Sequence, residues 1–246
     1  MKRTVGLAVT ALFQVGAMAA GTGTLLFEST GTNCRDFAIV AKVDAKVARQ
    51  MVPAKYELPK TVYALVELAT CDSGTVAGQS TGAFKIAEVG IMLPTPKGKS
   101  PFPLGGPNLY MLWLLDNDPV QSAAKLAAGY PGGLTDISFD PPTTGLIRKM
   151  RAQIAHDGGY SMSANDLTFK INVGKEVTDQ YVETPAGTVH TVNVINSSLE
   201  GGFSIGTATF APGSVLAKLF GSAKVSGLAF GGQGDYHNTT ELIPAP

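Results

Sequence analysis

The chain of 246 residues reads as a mainly β, α+β protein: a large antiparallel sheet curled into a closed cone or barrel around a pocket, with about three peripheral helices. Runs of strand-like composition follow one another across short turns, an order that disfavours a parallel βαβ sheet. Helical periodicity is confined to three stretches. One run, "NLYMLWLLDND", is almost wholly apolar and belongs in mid-sheet or buried on both faces. A sheet this large that closes on itself can enclose a ligand cavity.

The first segment lies outside that sheet. Met1 to Ala19 carries Lys2 and Arg3 ahead of the apolar run "VGLAVTALFQVGAMA" and ends on Ala17-Met18-Ala19, the small residues a signal peptidase reads. Gln14 interrupts the run and "GTGT" follows it, features unlike a membrane anchor. Residues 1–19 are thus expected to be a signal peptide and 20–246 one exported domain, periplasmic or extracellular, free of the membrane once the signal is removed. Self-association is left open. Lysine plus arginine number 19, as do aspartate plus glutamate, and loss of Lys2 and Arg3 leaves the remainder slightly acidic. The basic residues are scattered singly, which excludes a nucleic-acid face. In an exported chain Cys34 and Cys71 read as one disulfide, worth about 4 kcal/mol in the chain-entropy model. A metal pair or catalytic thiol would need His or Cys spacing that is missing nearby.

Along the domain, "FAIVAKVDAKVARQMV" sets Phe37, Val40, Ala41, Val47 and Met51 at helical spacing, predicting an amphipathic helix ended by Pro53. "TVYALVELAT" and "GAFKIAEVGIML" predict paired strands, and "NLYMLWLLDND" a third. Asp118 and Pro119 are N-cap and first position of a helix "VQSAAKLAA" that breaks at Gly129. Further strands are expected in "TGLIRKMRAQIA", "DLTFKINV", "TVHTVNVI", "SLEGGFSIGTATF" and "KVSGLAFGG", with turns at "HDGG" and "TPAG". A short helix "GSVLAKLFG", with Val215, Leu216, Leu219 and Phe220 on its apolar face, stops at Gly221.

Strand alternation puts Glu88 on one face with Phe84, Ile86, Gly90 and Met92. A carboxyl among hydrophobes has a raised pKa and can act as acid or base; the alternative is a structural glutamate paired with a cation or at the sheet rim. His156, His190 and His237 are dispersed, without H-x-x-x-H or H-E-x-x-H spacing, so no metal site is expected. No G-x-S-x-G elbow appears, and the glycine-rich "GGFSIG" and "GGQGDYH" sit in strands rather than at strand-to-helix turns, so neither a triad nor a phosphate or other cofactor is expected. As imine formers, Lys85 and Lys170 alternate away from their apolar neighbours, and Lys149 joins Arg148 and Arg151 in a solvated cluster. Lys125 lies on the helix leading into "GYPGG", either exposed or reaching toward the turn.

The order of these parts is informative. "MVPAKYELP" before "TVYALVELATC", then "FKIAEVGIMLP", "NLYMLWLLDND", the helix into "GYPGG" and the late "ATFAPGSVLAKLFGSAKVSGLAFGGQGDY" resembles the acetoacetate decarboxylase-like superfamily over nearly the whole domain. The resemblance implies an antiparallel β cone or barrel around an interior pocket. It also implies that the turn should read G-aromatic-P-K, the lysine forming an imine with a β-keto acid. Gly132 stands at that place, with Gly133 next, while Lys125 matches the family's helix arginine and Glu88 its pocket glutamate. Glycine offers no amine, so imine-based decarboxylation is not expected.

Three readings of function remain, the last being a structural or interaction module whose cavity is filled by side chains. In the first, the pocket holds a small, largely apolar molecule, a carbonyl among the groups it could carry, with Glu88 and Tyr130 orienting it and Tyr110, Met92 and His190 as further contacts. In the second, the barrel is a non-imine lyase, isomerase or hydrolase in which Glu88 is the acid/base, helped by Lys125 or His190. A catalytic Glu88 requires a second titratable group within hydrogen-bond reach.

Overall fold

The computed structural model describes residues 23–94, 108–139, 150–164, 170–200 and 204–245. The expected signal peptide lies outside them, as do Arg148, Lys149 and parts of the strands expected near 144–149, 166–169 and 201–203. In chain order the elements are β1 (Thr24–Lys42), α1 (Ala45–Met51), β2 (Tyr63–Cys71), β3 (Ser73–Val76), β4 (Gln79–Thr81), β5 (Phe84–Leu93), β6 (Asn108–Asp116), α2 (Pro119–Ala127) and β7 (Gly132–Leu134). They continue as β8 (Ile137–Phe139), β9 (Met150–Ile154), β10 (Tyr160–Ala164), β11 (Lys170–Thr184), β12 (Gly187–Glu200), β13 (Ser204–Phe210), α3 (Val215–Leu219) and β14 (Lys224–Pro244).

Strands β1-β2-β5-β6-β11-β12-β14 follow one another around a ring that the β14–β1 pairing closes. The expected closed barrel is therefore present, but it is mixed: β6 pairs parallel with both β11 and β7, and the remaining pairings are antiparallel. The longest strands serve two structures at once. Ser29–Thr32 of β1 also hold β3, while Lys224–Ala229 of β14 carry the outer flange β13-β10-β9-β8.

Two apolar layers follow from strand alternation. Ala38, Leu65, Ile86, Leu109, Met111, Val182 and Val189 point into the barrel. Their sequence neighbours Phe37, Ile39, Val66, Leu68, Val89 and Ile91 point outward, against Phe139, Ile154, Met162, Phe210 and the helix residues Leu216 and Leu219. A wall covered on both sides needs apolar residues at consecutive positions, which is why β2 and β6 lack polar alternation.

The same demand explains the misplaced helix start. The helix expected over Phe37–Met51 is helical only from Ala45; Phe37–Lys42 is strand, buried alternately on its inner and outer faces. A doubly buried strand carries apolar residues at enough positions to satisfy a helical count as well. The helix begins where chemistry marks it: the Asp44 carboxylate accepts from the Lys46 and Val47 amides at 2.8 and 3.1 Å. In α3, Leu216 and Leu219 are buried, whereas Val215, expected on the apolar face, is exposed. Cys34 and Cys71 form the expected disulfide, tying β1 to the end of β2.

Candidate functional site

The turn "GYPGG" is shaped by its hydrogen bonds. Asp118 caps α2 through the Val120 and Gln121 amides, both at 2.9 Å, and Pro119 sits in the first turn. At the other end Gly129 adopts φ +94°, its N–H donating to the Leu126 carbonyl at 3.0 Å while the Tyr130 N–H donates to Lys125 at 3.0 Å. This double bond pattern closes a helix through a left-handed residue, a place for glycine. The Leu114 N–H then donates to Pro131, and Gly132 pairs with Leu114. Gly132 has φ +142°, and a Cβ built on it would lie 2.1 Å from the Leu114 carbonyl oxygen. Position 132 is closed to any side chain by the β6 backbone.

Tyr130, sent inward by this turn, is buried among the inner apolar residues, and its hydroxyl bonds to Thr191, which in turn meets Thr240 at 2.8 Å. Glu88 also faces the barrel interior, as its alternation predicted, and its Oε2 accepts from the Gln180 Nε2 at 2.9 Å. Met92 packs against the same inner layer. Lys125 is neither exposed nor in the turn: it is buried, with Nζ 2.6 Å from Oδ1 of the fully buried Asp116.

Two expected contacts stand elsewhere. Tyr110 belongs to the outer apolar layer, its ring 5.4 Å from that of Tyr56. His190 alternates with the inward Val189 and Thr191, so it faces out, 2.9 Å from Asp179 and stacked on Tyr181 at 4.8 Å. Neither is brought to the interior.

Inside the barrel a pocket of about 50 Å³ is walled by Asp36, Glu67 and Glu88 from the adjacent strands β1, β2 and β5, and by Asn193, Tyr236 and Asn238 from β12 and β14. Burial raises every carboxyl around it. Asp36 is pushed to about 6 although the Gly232 amide donates to it. Glu67 rises well above the usual range, through burial and then the charges of Asp36, Glu88 and Glu176. Burial lifts Glu88 to about 7 against the opposing pull of Lys125, and Glu176 on β11 also to about 7. Asp116 is raised by burial in spite of its lysine partner. Among the described residues no group of three or more His, Cys, Asp or Glu side chains is placed to hold a metal ion.

Glu67 was open to the argument that found Glu88, since it alternates with Leu65, Ala69 and Cys71. Asp36 was hidden by the helical reading of its neighbours. Asn193, Tyr236 and Asn238 lie in strand stretches whose polar residues gave no indication of side.

The closed barrel, its flange and its interior pocket together define the acetoacetate decarboxylase-like fold. Among solved structures, the chain is similar to acetoacetate decarboxylase of Legionella pneumophila subsp. pneumophila str. Philadelphia 1, with a TM-score of 0.58 at 10% identity, over 97% of this chain and 98% of that one. It is also similar to the enduracididine biosynthesis enzyme MppR solved with pyruvate, at a TM-score of 0.54 and 11% identity over 92% and 91%. An acetoacetate decarboxylase-like enzyme from Sphingomonas wittichii RW1 aligns at 0.52 and 13%, over 89% and 94%. Comparison with protein-family models gives no match, and neither does comparison with curated proteins.

Proposed function

We propose that the chain is an exported small-molecule-binding protein that uses the interior of an acetoacetate decarboxylase-like barrel and forms no imine at its G-aromatic-P turn. The observation that carries the proposal is the pairing of a carboxyl-walled pocket in the barrel with a turn whose position 132 has no room for a side chain. Lys125, the nearby amine, is held as an ion pair by Asp116 at 2.6 Å. Its nitrogen faces that carboxylate and does not line the pocket, so the amine is not presented to a carbonyl there.

The ligand lies with a short apolar part against Ile86 and Ile195 and a polar head among the carboxyls. A carbonyl head is served by Glu88 in its protonated form, whose pKa near 7 keeps it a donor below neutrality. An anionic keto acid is disfavoured, because several interior carboxyls repel a further negative charge in a poorly solvated space. The acid/base enzyme is the weaker reading: the hydrogen-bond partner of Glu88 is the Gln180 amide, which does not titrate. Export is supported by the Cys34–Cys71 disulfide and by the composition of residues 1–19; among the described residues no helix is long and apolar enough to cross a membrane.

Native mass spectrometry of protein recovered from the exported fraction tests this. It should give a chain beginning at Ala20 and carrying a small non-covalent guest, and borohydride reduction in the presence of acetoacetate or pyruvate should leave every lysine unmodified. A reduced adduct on Lys125 would reinstate imine chemistry, and a chain retained with residues 1–19 in the cytoplasm would end the claim of export.

A further inference from the structure

The chemistry of the pocket wall narrows its occupant. The polar groups from β1, β2 and β5 are carboxyls: Asp36, Glu67 and Glu88. From β12 and β14, Asn193 and Asn238 each bring a side-chain carbonyl oxygen that is buried and makes no hydrogen bond, while the Tyr236 hydroxyl is turned to Gln121 and Ser29. Buried acceptors without donors are costly and are normally satisfied by protein, water or ligand. No lysine, arginine or histidine among the described residues lines the pocket, and Lys125, the cation whose charge acts on Glu88, is committed to Asp116. Unpaired acceptors beside ionisable acids in a poorly solvated space call for a donor that carries positive charge. A bare metal ion does not meet that need, since the described acids do not converge as ligands. The space of about 50 Å³ admits only a few non-hydrogen atoms.

We propose that this pocket binds a small primary ammonium, its N–H groups shared among Asp36, Glu67, Asn193 and Asn238 and its short alkyl stem lying against Ile86 and Ile195. The inference rests on the interior-pocket reading above and replaces the carbonyl head by an amine. Protonation and cation binding are then alternative ways of neutralising the same wall. Burial lifts Asp36 to about 6 and, against the pull of Lys125, Glu88 to about 7; burial and then acidic neighbours lift Glu176 to about 7 and Glu67 well above its usual range. The other charged groups facing them are the Asp116–Lys125 pair, which brings no net charge, and Tyr130 and Tyr236, which burial keeps neutral. An arriving ammonium displaces protons from the wall, so affinity climbs as pH rises through about 6 to 7.

Isothermal titration of the purified chain with ethylammonium, in buffers of unequal ionisation enthalpy, measures both affinity and proton release. Ethylammonium should bind at least about tenfold more tightly at about pH 8 than at about pH 5.5, with net proton release. Tetramethylammonium has the charge without N–H donors and acetone has a carbonyl without charge; each should bind at least about tenfold more weakly than ethylammonium at about pH 8. Glu67→Gln and Asn193→Ala should each weaken ethylammonium by about tenfold while near-UV circular dichroism is unchanged. Acetone binding where ethylammonium does not would overturn the ammonium and leave the pocket standing. Equal binding of tetramethylammonium would remove the hydrogen-bonded head. Ethylammonium affinity untouched by both substitutions would place the site elsewhere, and silence from all three probes would end the ammonium proposal, with the retained-guest mass measurement deciding the pocket independently.

Discussion

The inner and outer faces of the barrel wall treat carboxyl groups in opposite ways. Outside, Glu183 accepts from the Tyr56 hydroxyl at 2.7 Å and from Thr188 at 2.9 Å, with Lys55 at 2.8 Å, and Asp179 meets His190 at 2.9 Å. Burial alone would raise Glu183, but these partners outweigh it and hold the carboxyl below its usual range. Inside, Glu88 accepts from the Gln180 amide and Asp36 from the backbone N–H groups of Gly232 and Asp36 itself, with no cation among these donors, and both are raised. Carboxyls that serve only architecture are surrounded by donors. The interior carboxyls have fewer donors than they can use, the condition expected of a wall that receives something from outside the chain.

The Asp116–Lys125 pair tests the inner face most severely, since there a buried acid and a buried base are matched. Lys125→Met leaves Asp116 as a buried charge without a partner, its Oδ2 already unpaired. Breaking a buried pair from one side costs about 3–5 kcal/mol. Urea unfolding of K125M at neutral pH should show that loss, and Asp116→Leu added to it should recover most of it, since neither charge is then stranded. A K125M loss below about 1 kcal/mol would mean that the interior is better solvated than its geometry implies.

Glu88→Gln carries the next largest effect and has the opposite sign. In the unfolded chain Glu88 releases its proton near 4.5, whereas in the folded protein it holds it to about 7. Between those values the folded state binds more protons, so the stability contributed by this group is full below about 4.5 and falls as pH rises to about 7. The glutamine variant should therefore match the parent at about pH 4 and exceed it by about 1–3 kcal/mol at about pH 8, read from thermal or urea melts across pH. A variant equally stable at both ends would mean that Glu88 ionises without penalty, and the contrast between the two faces would lose its basis.

These features were unequally legible in the chain. The cap at Asp118, the Gly129 stop and the inward face of Glu88 were readable because each depends on local chemistry or strict alternation. The α1 boundary was not, because Phe37 to Lys42 is covered on both sides by elements distant in sequence and so satisfies helical spacing by composition alone. Tyr110 and His190 were assigned to the ligand although they face outward. For His190 the error is one of side: in β12 the inward Val189 and Thr191 and the outward His190 differ only in register, which is set by pairing with β11 and β14. Burial of Lys125 was equally hidden, since its partner Asp116 belongs to the preceding strand and nothing in "VQSAAKLAA" announces it.

The outer face supplies the smallest effect and the complementary pH dependence. Glu183 keeps its charge through Lys55, Tyr56 and Thr188, so its contribution is present above the usual carboxylate range and disappears as pH falls through its lowered folded value. Lys55 is half-exposed and water screens the pair, which limits Glu183→Gln to a loss under about 1 kcal/mol at neutral pH and low salt. Added salt or acid should erase even that. Measured beside Glu88→Gln, the two glutamines should diverge as pH rises, one stabilising and the other weakly destabilising. If both moved in the same direction, the donor count around each carboxyl would not be what separates the faces of this wall.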